Sequence, residues 1–186
     1  MKKPPVVLPD LNLQPGEIYL ARSPAILRTI LGSCVSCTFW CGRLRIGALS
    51  HGVLPRCPVF LPQGFNLADG LRFVDFSIDY LSQQLDSLGA RRDEIEVKLF
   101  GGADVLPTTD GSNKPTVGAL NCISALEVLE KKGFTVSASD LRGIRGRRIH
   151  FNTATGEILL QRLKAWRDPL GEEDLPEQSR IRSVRL

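Results

Sequence analysis

The fold is decided by Val35-Ser-Cys-Thr-Phe-Trp40, the break Cys41-Gly-Arg43 and the return Leu44-Arg-Ile-Gly-Ala-Leu49. Apolar residues alternate with small or polar residues in the two longer segments, which is typical of β-strands. The break contains a glycine and interrupts the alternation, so it predicts a turn. Together the three segments predict an antiparallel β-hairpin.

Two segments downstream of the hairpin have the spacing of amphipathic helices. Over residues 71–88, apolar side chains recur at intervals of three and four, which keeps one helical face toward a core. Asn66 or Asp69 is a suitable N-cap for this helix, and Gly89 is placed to end it. A second helix is predicted over residues 117–132.

Shorter alternating segments predict further strands, at residues 17–20, 95–99, 134–138, 149–151 and 158–160. Strands combined with two helices, without an internal repeat, are typical of an α/β or α+β layered domain. We therefore expect one domain with mixed or antiparallel β-sheets flanked by two amphipathic helices. Its predicted limits are residues 17–166, after an N-terminal extension over 1–16 and before a charged, flexible C-terminal tail over 167–186.

The composition is that of an ordinary globular protein, since 42% of the 186 residues are apolar and 24% are charged. The net charge of +4 is modest for this length and does not favour nucleic-acid binding. A basic pair near the N-terminus precedes a short apolar segment interrupted by prolines, so neither a signal peptide nor a membrane-spanning helix is expected. These features predict a cytoplasmic protein whose five cysteines remain thiols.

Cys34 is the first candidate for chemistry because it lies on a turn that opens the first hairpin strand. Gly32 in this turn permits backbone angles that a residue with a Cβ would resist. The backbone N–H groups near Ser33 and Cys34 would then stabilise a thiolate and a developing oxyanion. Most free cysteines are simply small buried side chains, so the position of Cys34 alone does not decide its role.

His51 strengthens the catalytic interpretation of Cys34. It lies at the end of the second hairpin strand, and antiparallel pairing brings that end back beside the start of the first strand. An imidazole titrates near neutral pH and can take the proton of a thiol. Thr29 lies close upstream and has a hydroxyl able to orient the histidine, although an ordinary strand threonine is the alternative.

A zinc site formed by Cys34, Cys37 and Cys41 is a weaker interpretation. Their spacing suits zinc, but a second set of ligands is missing because Cys57 and Cys122 are isolated. Cys37 and Cys41 are expected to be small buried side chains of the strand.

The densest basic run, residues 142–148, contains four arginines and two glycines. It could bind phosphate or an acidic protein surface, or form a solvated loop between strands. The pair Gly101-Gly102 lacks the sequence context of a nucleotide-binding loop, so nucleotide binding is disfavoured.

Six segments between about Glu17 and about Arg162 resemble the CheD family of chemoreceptor glutamine deamidases. They follow one another in the order typical of that family. They are Thr29-Ile-Leu-Gly-Ser-Cys34-Val, Gly47-Ala-Leu-Ser-His51-Gly-Val-Leu-Pro55, Lys98-Leu-Phe-Gly-Gly-Ala103, Gly118-Ala-Leu-Asn121, Gly146-Arg-Arg-Ile-His-Phe-Asn152 and Thr155-Gly156.

The resemblance implies a layered α/β domain that hydrolyses selected glutamine side chains of methyl-accepting chemotaxis receptors to glutamate. It also implies a catalytic set of cysteine, histidine and threonine, which corresponds to Cys34, His51 and Thr29. No metal or organic cofactor is required. The implied partners are the cytoplasmic helices of the receptors and a CheC-type phosphatase. Leu120 stands where the family often has arginine, and Leu141-Arg142 where a glycine pair is common, which concerns the partner surface and the substrate preference.

Two other functions compete with deamidation. One is an adaptor that binds receptors or a CheC-type phosphatase and has little or no deamidase activity. The other is a related cysteine hydrolase, such as a peptidase or a transglutaminase. Release of ammonia without peptide cleavage or amine incorporation distinguishes a deamidase from the second group.

Overall fold

The computed structural model describes residues 7–60, 62–105 and 114–164, and the backbone of 178–181. Within these residues it has ten strands, three α-helices and one 3-10 turn. In chain order they are β1 (Asp10–Asn12), β2 (Ile18–Ala21), β3 (Ile26–Leu31), β4 (Val35–Cys41), β5 (Ile46–Ser50), α1 (Leu67–Leu71), α2 (Val74–Ser87), the 3-10 turn (Arg92–Glu94), β6 (Ile95–Gly101), α3 (Val117–Lys131), β7 (Val136–Leu141), β8 (Arg147–Asn152), β9 (Glu157–Arg162) and β10 (Gln178–Ile181).

The strands form two mixed sheets of five strands each within the described residues. The first sheet has the order β1-β3-β8-β9-β10 and the second has the order β2-β5-β4-β6-β7. The pairs β1–β3 and β6–β7 are parallel, and the other pairs are antiparallel. The predicted hairpin is β4–β5, and the prediction of an α+β domain with mixed sheets is confirmed.

The hairpin belongs to the second sheet and separates two apolar cores. One face of the sheet packs against α2 and α3, and we call this cluster the outer core. It contains Val35, Cys37, Phe39 and Cys41 of β4, Ile46 and Ala48 of β5, Val74, Ile78, Leu81 and Leu85 of α2, and Cys122, Ala125 and Leu129 of α3, with further residues of β6. The prediction that Cys37 and Cys41 are buried is therefore confirmed.

The other face of the second sheet packs against the first sheet. This cluster, the inter-sheet core, includes Leu27 and Leu31 of β3, Leu49 of β5, Phe100 of β6, Ile149 and Phe151 of β8 and Ile158 and Leu160 of β9, with Cys34 and Trp40 packed against it. Because side chains alternate along a strand, the hairpin presents different residues to the two cores. The layers are thus helices, second sheet and first sheet.

The segment predicted as one helix, from a cap at Asn66 or Asp69 to Gly89, is two helices, α1 and α2. Asn66 caps α1 in a capping box with Asp69, as one of the two predicted caps. The break follows because the Arg72 carbonyl accepts from the backbone N–H groups of Val53 and Leu54 instead of continuing the helix. α3 ends close to its predicted limit, before Gly133.

Strand β3 has no counterpart among the strands predicted from the sequence. Its inward positions include Thr29, which is buried, while the outward residue Ile30 is half exposed. A polar residue inside and an apolar residue outside obscure the period-2 pattern that identifies a strand. The structure therefore places Thr29 on an inner strand of the first sheet.

The predicted terminal segments are described only in part. Asp10–Asn12 pairs with β3, and Leu13 is buried in the inter-sheet core. Residues 1–6 and most of the predicted tail, 167–177 and 182–186, lie outside the described residues. The backbone of Gln178–Ile181 pairs with β9. The domain limits remain predictions.

No helix among the described residues is long and apolar enough to cross a lipid bilayer.

Candidate active site

Cys34 lies between β3 and β4, on a turn that is fastened to the end of β6. The Gly102 N–H donates to the Cys34 carbonyl at 2.8 Å, and the Ala103 N–H donates to the Gly32 carbonyl at 2.8 Å. Gly101 has φ of +116°, and a Cβ there would overlap with the Cys34 carbonyl oxygen. Position 101 beside the turn therefore requires a glycine. The Cys34 thiol is partly exposed.

His51 follows β5 and lies across the hairpin from Cys34. Val35 and Gly52 exchange two backbone hydrogen bonds of 2.9 Å, and Cys34 and His51 flank this pair on opposite strands. Side chains of residues 34 and 51 point to the same face, because 34 is one position before Val35 and 51 one position before Gly52. That face is the inter-sheet side, which also carries Leu49 and Trp40. The structure thus places Cys34 and His51 on the same face of the hairpin, on either side of the Val35–Gly52 pair.

Thr29 reaches His51 from the first sheet. The Thr29 Oγ1 lies 2.7 Å from His51 Nδ1 and donates to the Leu13 carbonyl at 3.0 Å. A hydroxyl has one hydrogen, so Nδ1 carries the proton and donates to Thr29. Nε2 of His51 then has a free lone pair, and it is buried without a hydrogen-bond partner in the described part of the chain. An imidazole in this tautomer is a base through Nε2.

The Leu13 carbonyl is the part of this arrangement that sequence reasoning missed. Backbone carbonyls occur at every residue, so no motif identifies the one that will accept from Thr29. The segment around it is tied to His51 by two further bonds, from Gly16 N–H to the His51 carbonyl and from His51 N–H to the Glu17 carbonyl. The three hydrogen bonds that His51 makes in the described residues thus join it to Gly16, Glu17 and Thr29.

Burial keeps both reactive groups neutral at rest. It lowers the pKa of His51 to about 4, against the opposing effects of the Leu13 carbonyl and the Glu17 charge. It raises the pKa of the Cys34 thiol, an effect that the Cys34 backbone N–H opposes. At neutral pH the resting site is therefore a thiol beside a neutral imidazole, and the proton has to be transferred during the reaction.

The turn offers N–H groups for an oxyanion. Within the described residues, neither the Ser33 N–H nor the Cys34 N–H donates a hydrogen bond to another residue. Both belong to the predicted support of the site together with Gly32. Free amides beside a nucleophile can stabilise the negative oxygen of a tetrahedral intermediate.

The basic run over residues 142–148 is not a continuous charged surface. Arg147 is buried, pairs with Asp140 at 2.9 Å and donates to the carbonyls of Gly101, Asp140, Arg142 and Arg145. It holds the β7–β8 loop against the end of β6. Arg142, Arg145 and Arg147 of the run line the adjacent cavity of about 530 Å³ together with Arg162, whereas Arg148 is not among its lining residues.

The three clustered cysteines do not converge on a common point. Cys34 faces the inter-sheet side, whereas Cys37 and Cys41 face the outer core. Among the residues with described side chains, no group of three or more His, Cys, Asp or Glu could hold a metal ion.

The sequence of this chain is similar to a known protein family and to proteins whose names state an activity. The family model described as "CheD chemotactic sensory transduction" matches residues 60–162, more than half of the chain. A "Probable chemoreceptor glutamine deamidase CheD 2" of Geobacter sulfurreducens is 40% identical over 156 residues, which are 84% of this chain and 91% of the relative. A "Probable chemoreceptor glutamine deamidase CheD" of Oleidesulfovibrio alaskensis is 34% identical over 182 residues, 96% of this chain and 84% of the relative. The protein of that name from Maridesulfovibrio salexigens is 36% identical over 82% of this chain and 91% of its own length.

Proposed function

The chain belongs to the CheD family, and we propose that it deamidates selected glutamine side chains of methyl-accepting chemotaxis receptors to glutamate, releasing ammonia. Cys34 is the nucleophile, His51 is the base and Thr29 orients the histidine. The observation that supports this most is the hydrogen-bonded chain from Leu13 through Thr29 to His51, on the face that also carries Cys34. Its free end is the Nε2 atom, which is unpaired within the described residues.

Acylation begins when His51 Nε2 takes the proton of the Cys34 thiol. The thiolate attacks the carbonyl carbon of the glutamine side chain, and the N–H groups of Ser33 and Cys34 stabilise the oxyanion. The imidazolium then gives its proton to the departing nitrogen, so ammonia leaves and a thioester remains. Burial, which lowers the pKa of His51 to about 4 in the resting site, favours release of this proton.

Deacylation uses the same groups in the reverse roles. His51 takes a proton from water, the hydroxide attacks the thioester, and the collapsing intermediate expels the Cys34 sulfur, which regains its proton from the imidazolium. The product is glutamate. Throughout, the Nδ1–H bond to Thr29 holds the ring in one orientation and favours the tautomer in which Nε2 is basic. This scheme requires no metal or organic cofactor.

Mass spectrometry of a purified receptor cytoplasmic fragment tests the proposal directly. Incubation with the wild-type protein should give a gain of about one dalton for each glutamine converted to glutamate, together with ammonia. Cys34→Ala should give neither. Cys57→Ala is the matched control, because Cys57 is also a partly exposed free thiol but lies outside the site. Cleaved peptide bonds or incorporated amines would indicate a peptidase or a transglutaminase instead.

Binding without catalysis is the second candidate, and an exposed apolar row on α3 favours it. Val117, Leu120 and Ile123 are each between about a third and a half exposed, and they precede or follow the buried Asn121 on the same helix. Such a row is suited to contact another protein, which could be the receptor or a CheC-type phosphatase. Receptor binding that persists without any change in mass would support this adaptor function.

The proposed substrate also determines where the protein acts. The receptor glutamines lie on cytoplasmic helices, so we infer that the domain over residues 17–166 works in the cytoplasm. The same assay with a chain that ends at residue 166 tests the predicted tail over 167–186, which includes the strand β10 paired with β9.

A further inference from the structure

Asn121 of α3 joins the two halves of the candidate site. Its side chain is fully buried, and its Nδ2 donates to the Ser33 carbonyl at 2.9 Å and to the Val53 carbonyl at 3.0 Å. Ser33 immediately precedes Cys34, and Val53 is two residues after His51. One amide group therefore contacts the turn of the nucleophile and the turn of the base.

The bridge lies where the backbone ladder between the two turns ends. Val35 and Gly52 form its last pair. Beyond that pair the chains diverge, since the Cys34 carbonyl accepts from Gly102 N–H while the Val53 N–H donates to the Arg72 carbonyl. No backbone hydrogen bond joins residues 33–34 to residues 53–54 in the described structure. The two Asn121 bonds take the place of the missing rung.

The orientation of the Asn121 amide is fixed by chemistry. Both partners are carbonyl oxygens, which only accept, so the NH₂ group must face them and both of its hydrogens are used. Oδ1 is buried and has no partner within the described residues. A buried acceptor without a partner is unfavourable, and an apolar residue of similar size would avoid this loss. Such a residue would, however, leave the carbonyl oxygens of Ser33 and Val53 without the two donors that Asn121 supplies.

We propose that Asn121 is a positioning residue that sets the separation between the Cys34 thiol and His51 Nε2. The inference rests on the proposed function for its meaning in catalysis, but the geometry it describes is independent of the substrate. Without the bridge, the described residues join the two turns only through the Val35–Gly52 pair and through their separate neighbours. The reacting atoms then lose their alignment while both side chains remain present.

The test compares Asn121→Leu and Asn121→Ala with the wild type. The leucine has nearly the same size and shape but no donors, so it separates hydrogen bonding from the filling of space. Each variant should lower kcat for deamidation of the receptor fragment by roughly 10²-fold with little change in KM, as expected when reacting groups are displaced by about 1 Å. Ser124→Ala is the control, because Ser124 also ties α3 to the loop after His51, through the Pro55 carbonyl, but lies one turn away.

A second measurement does not depend on the substrate. The rate of Cys34 alkylation by iodoacetamide, followed by peptide mass spectrometry across pH, reports how His51 acts on the thiol. The profile of Asn121→Ala should move toward that of His51→Ala, whereas Ser124→Ala should retain the wild-type profile. If Asn121→Leu does not fold by circular dichroism, Asn121→Ala and Asn121→Ser carry the test, with an intermediate effect expected for serine, which keeps one donor.

The outcomes separate the two proposals. A folded Asn121→Ala whose kcat and alkylation profile both match those of Ser124→Ala would overturn the positioning role. Absence of deamidation by the wild type, combined with an alkylation profile that depends on both His51 and Asn121, would reject the proposed function and leave the positioning role supported.

Discussion

Cys34, just before β4, and Cys37 of β4 lie on opposite faces of the second sheet. The surroundings of the two cysteines differ. Cys37 lies in the apolar outer core, where burial alone raises the pKa of its thiol well above the ordinary value. Cys34 faces the inter-sheet side, where burial also raises the thiol pKa but its own backbone N–H opposes the shift. Burial raises the pKa of both thiols, so the difference between them is the neighbouring imidazole of His51, the proposed base.

That base is available because polar residues replace apolar ones at one edge of the inter-sheet core. Thr29 and His51 are both buried, and they are bonded to each other and to the Leu13 carbonyl. Burying such groups is tolerated when hydrogen bonds satisfy them. The one buried atom left unpaired in the described residues of this group, His51 Nε2, is the atom that the proposed chemistry uses.

His51→Ala should have the largest effect, because it makes the surroundings of Cys34 resemble those of Cys37. Loss of general acid–base catalysis lowers kcat by roughly 10²- to 10⁴-fold. Steady-state ammonia release from the receptor fragment measures it. His150→Ala is the control, since His150 is the other histidine of the chain and lies on β8, away from Cys34. Equal losses in the two variants would exclude a special role for His51.

Thr29→Val should have a smaller effect, because it keeps the shape of the side chain and removes only the hydroxyl that orients His51. The imidazole remains but can rotate or change tautomer, so we expect kcat to fall by roughly 10- to 10²-fold, part of the general acid–base contribution. Thr38→Val is the matched control. Thr38 is also a buried strand threonine, and its hydroxyl donates to the Lys98 carbonyl at 3.4 Å. Unchanged kinetics in Thr29→Val would show that packing alone positions the histidine.

The buried histidine should also make stability depend on pH. Its folded-state pKa of about 4 lies below the ordinary value of 6.5, so the unfolded chain binds more protons between these two values. The stabilisation is complete above pH 6.5, decreases as pH falls toward 4, and changes no further below that. Relative to His51→Gln, the wild type should lose roughly 2 kcal/mol of unfolding free energy between pH 7 and pH 5 in urea titrations. A constant difference between the two proteins would mean that His51 is not buried in the neutral form.

The position of Cys34 and His51 on one face of the hairpin could be predicted from the sequence because it depends on local features. The alternation over residues 35–49 identifies the hairpin, and antiparallel register then places residues 34 and 51 together. The cap at Asn66 and the helix α3 were predictable for the same reason, since caps and helical spacing are encoded within a few residues.

Other parts of the site depend on contacts between distant segments, which leave no local pattern. The break at Arg72 arises because its carbonyl bonds to Val53 and Leu54, and the acceptor for Thr29 is the backbone of Leu13. Strand β3 was hidden because its inward residue Thr29 is polar. In each case the tertiary structure overrides the local preference of the sequence, and at Thr29 this occurs at the site itself.

Cys37→Ala should have the smallest effect, and it tests the comparison from its other side. Removing a buried sulfur from the outer core leaves a small cavity, so we expect a loss of about 1 kcal/mol in unfolding free energy. Deamidation per folded molecule should not change, because the Cys37 side chain points away from His51 and packs with residues such as Phe39. Urea unfolding together with kcat on the same preparation gives both quantities. A fall in kcat with stability preserved would mean that the two faces of β4 are coupled, and that the base alone does not account for the difference between the cysteines.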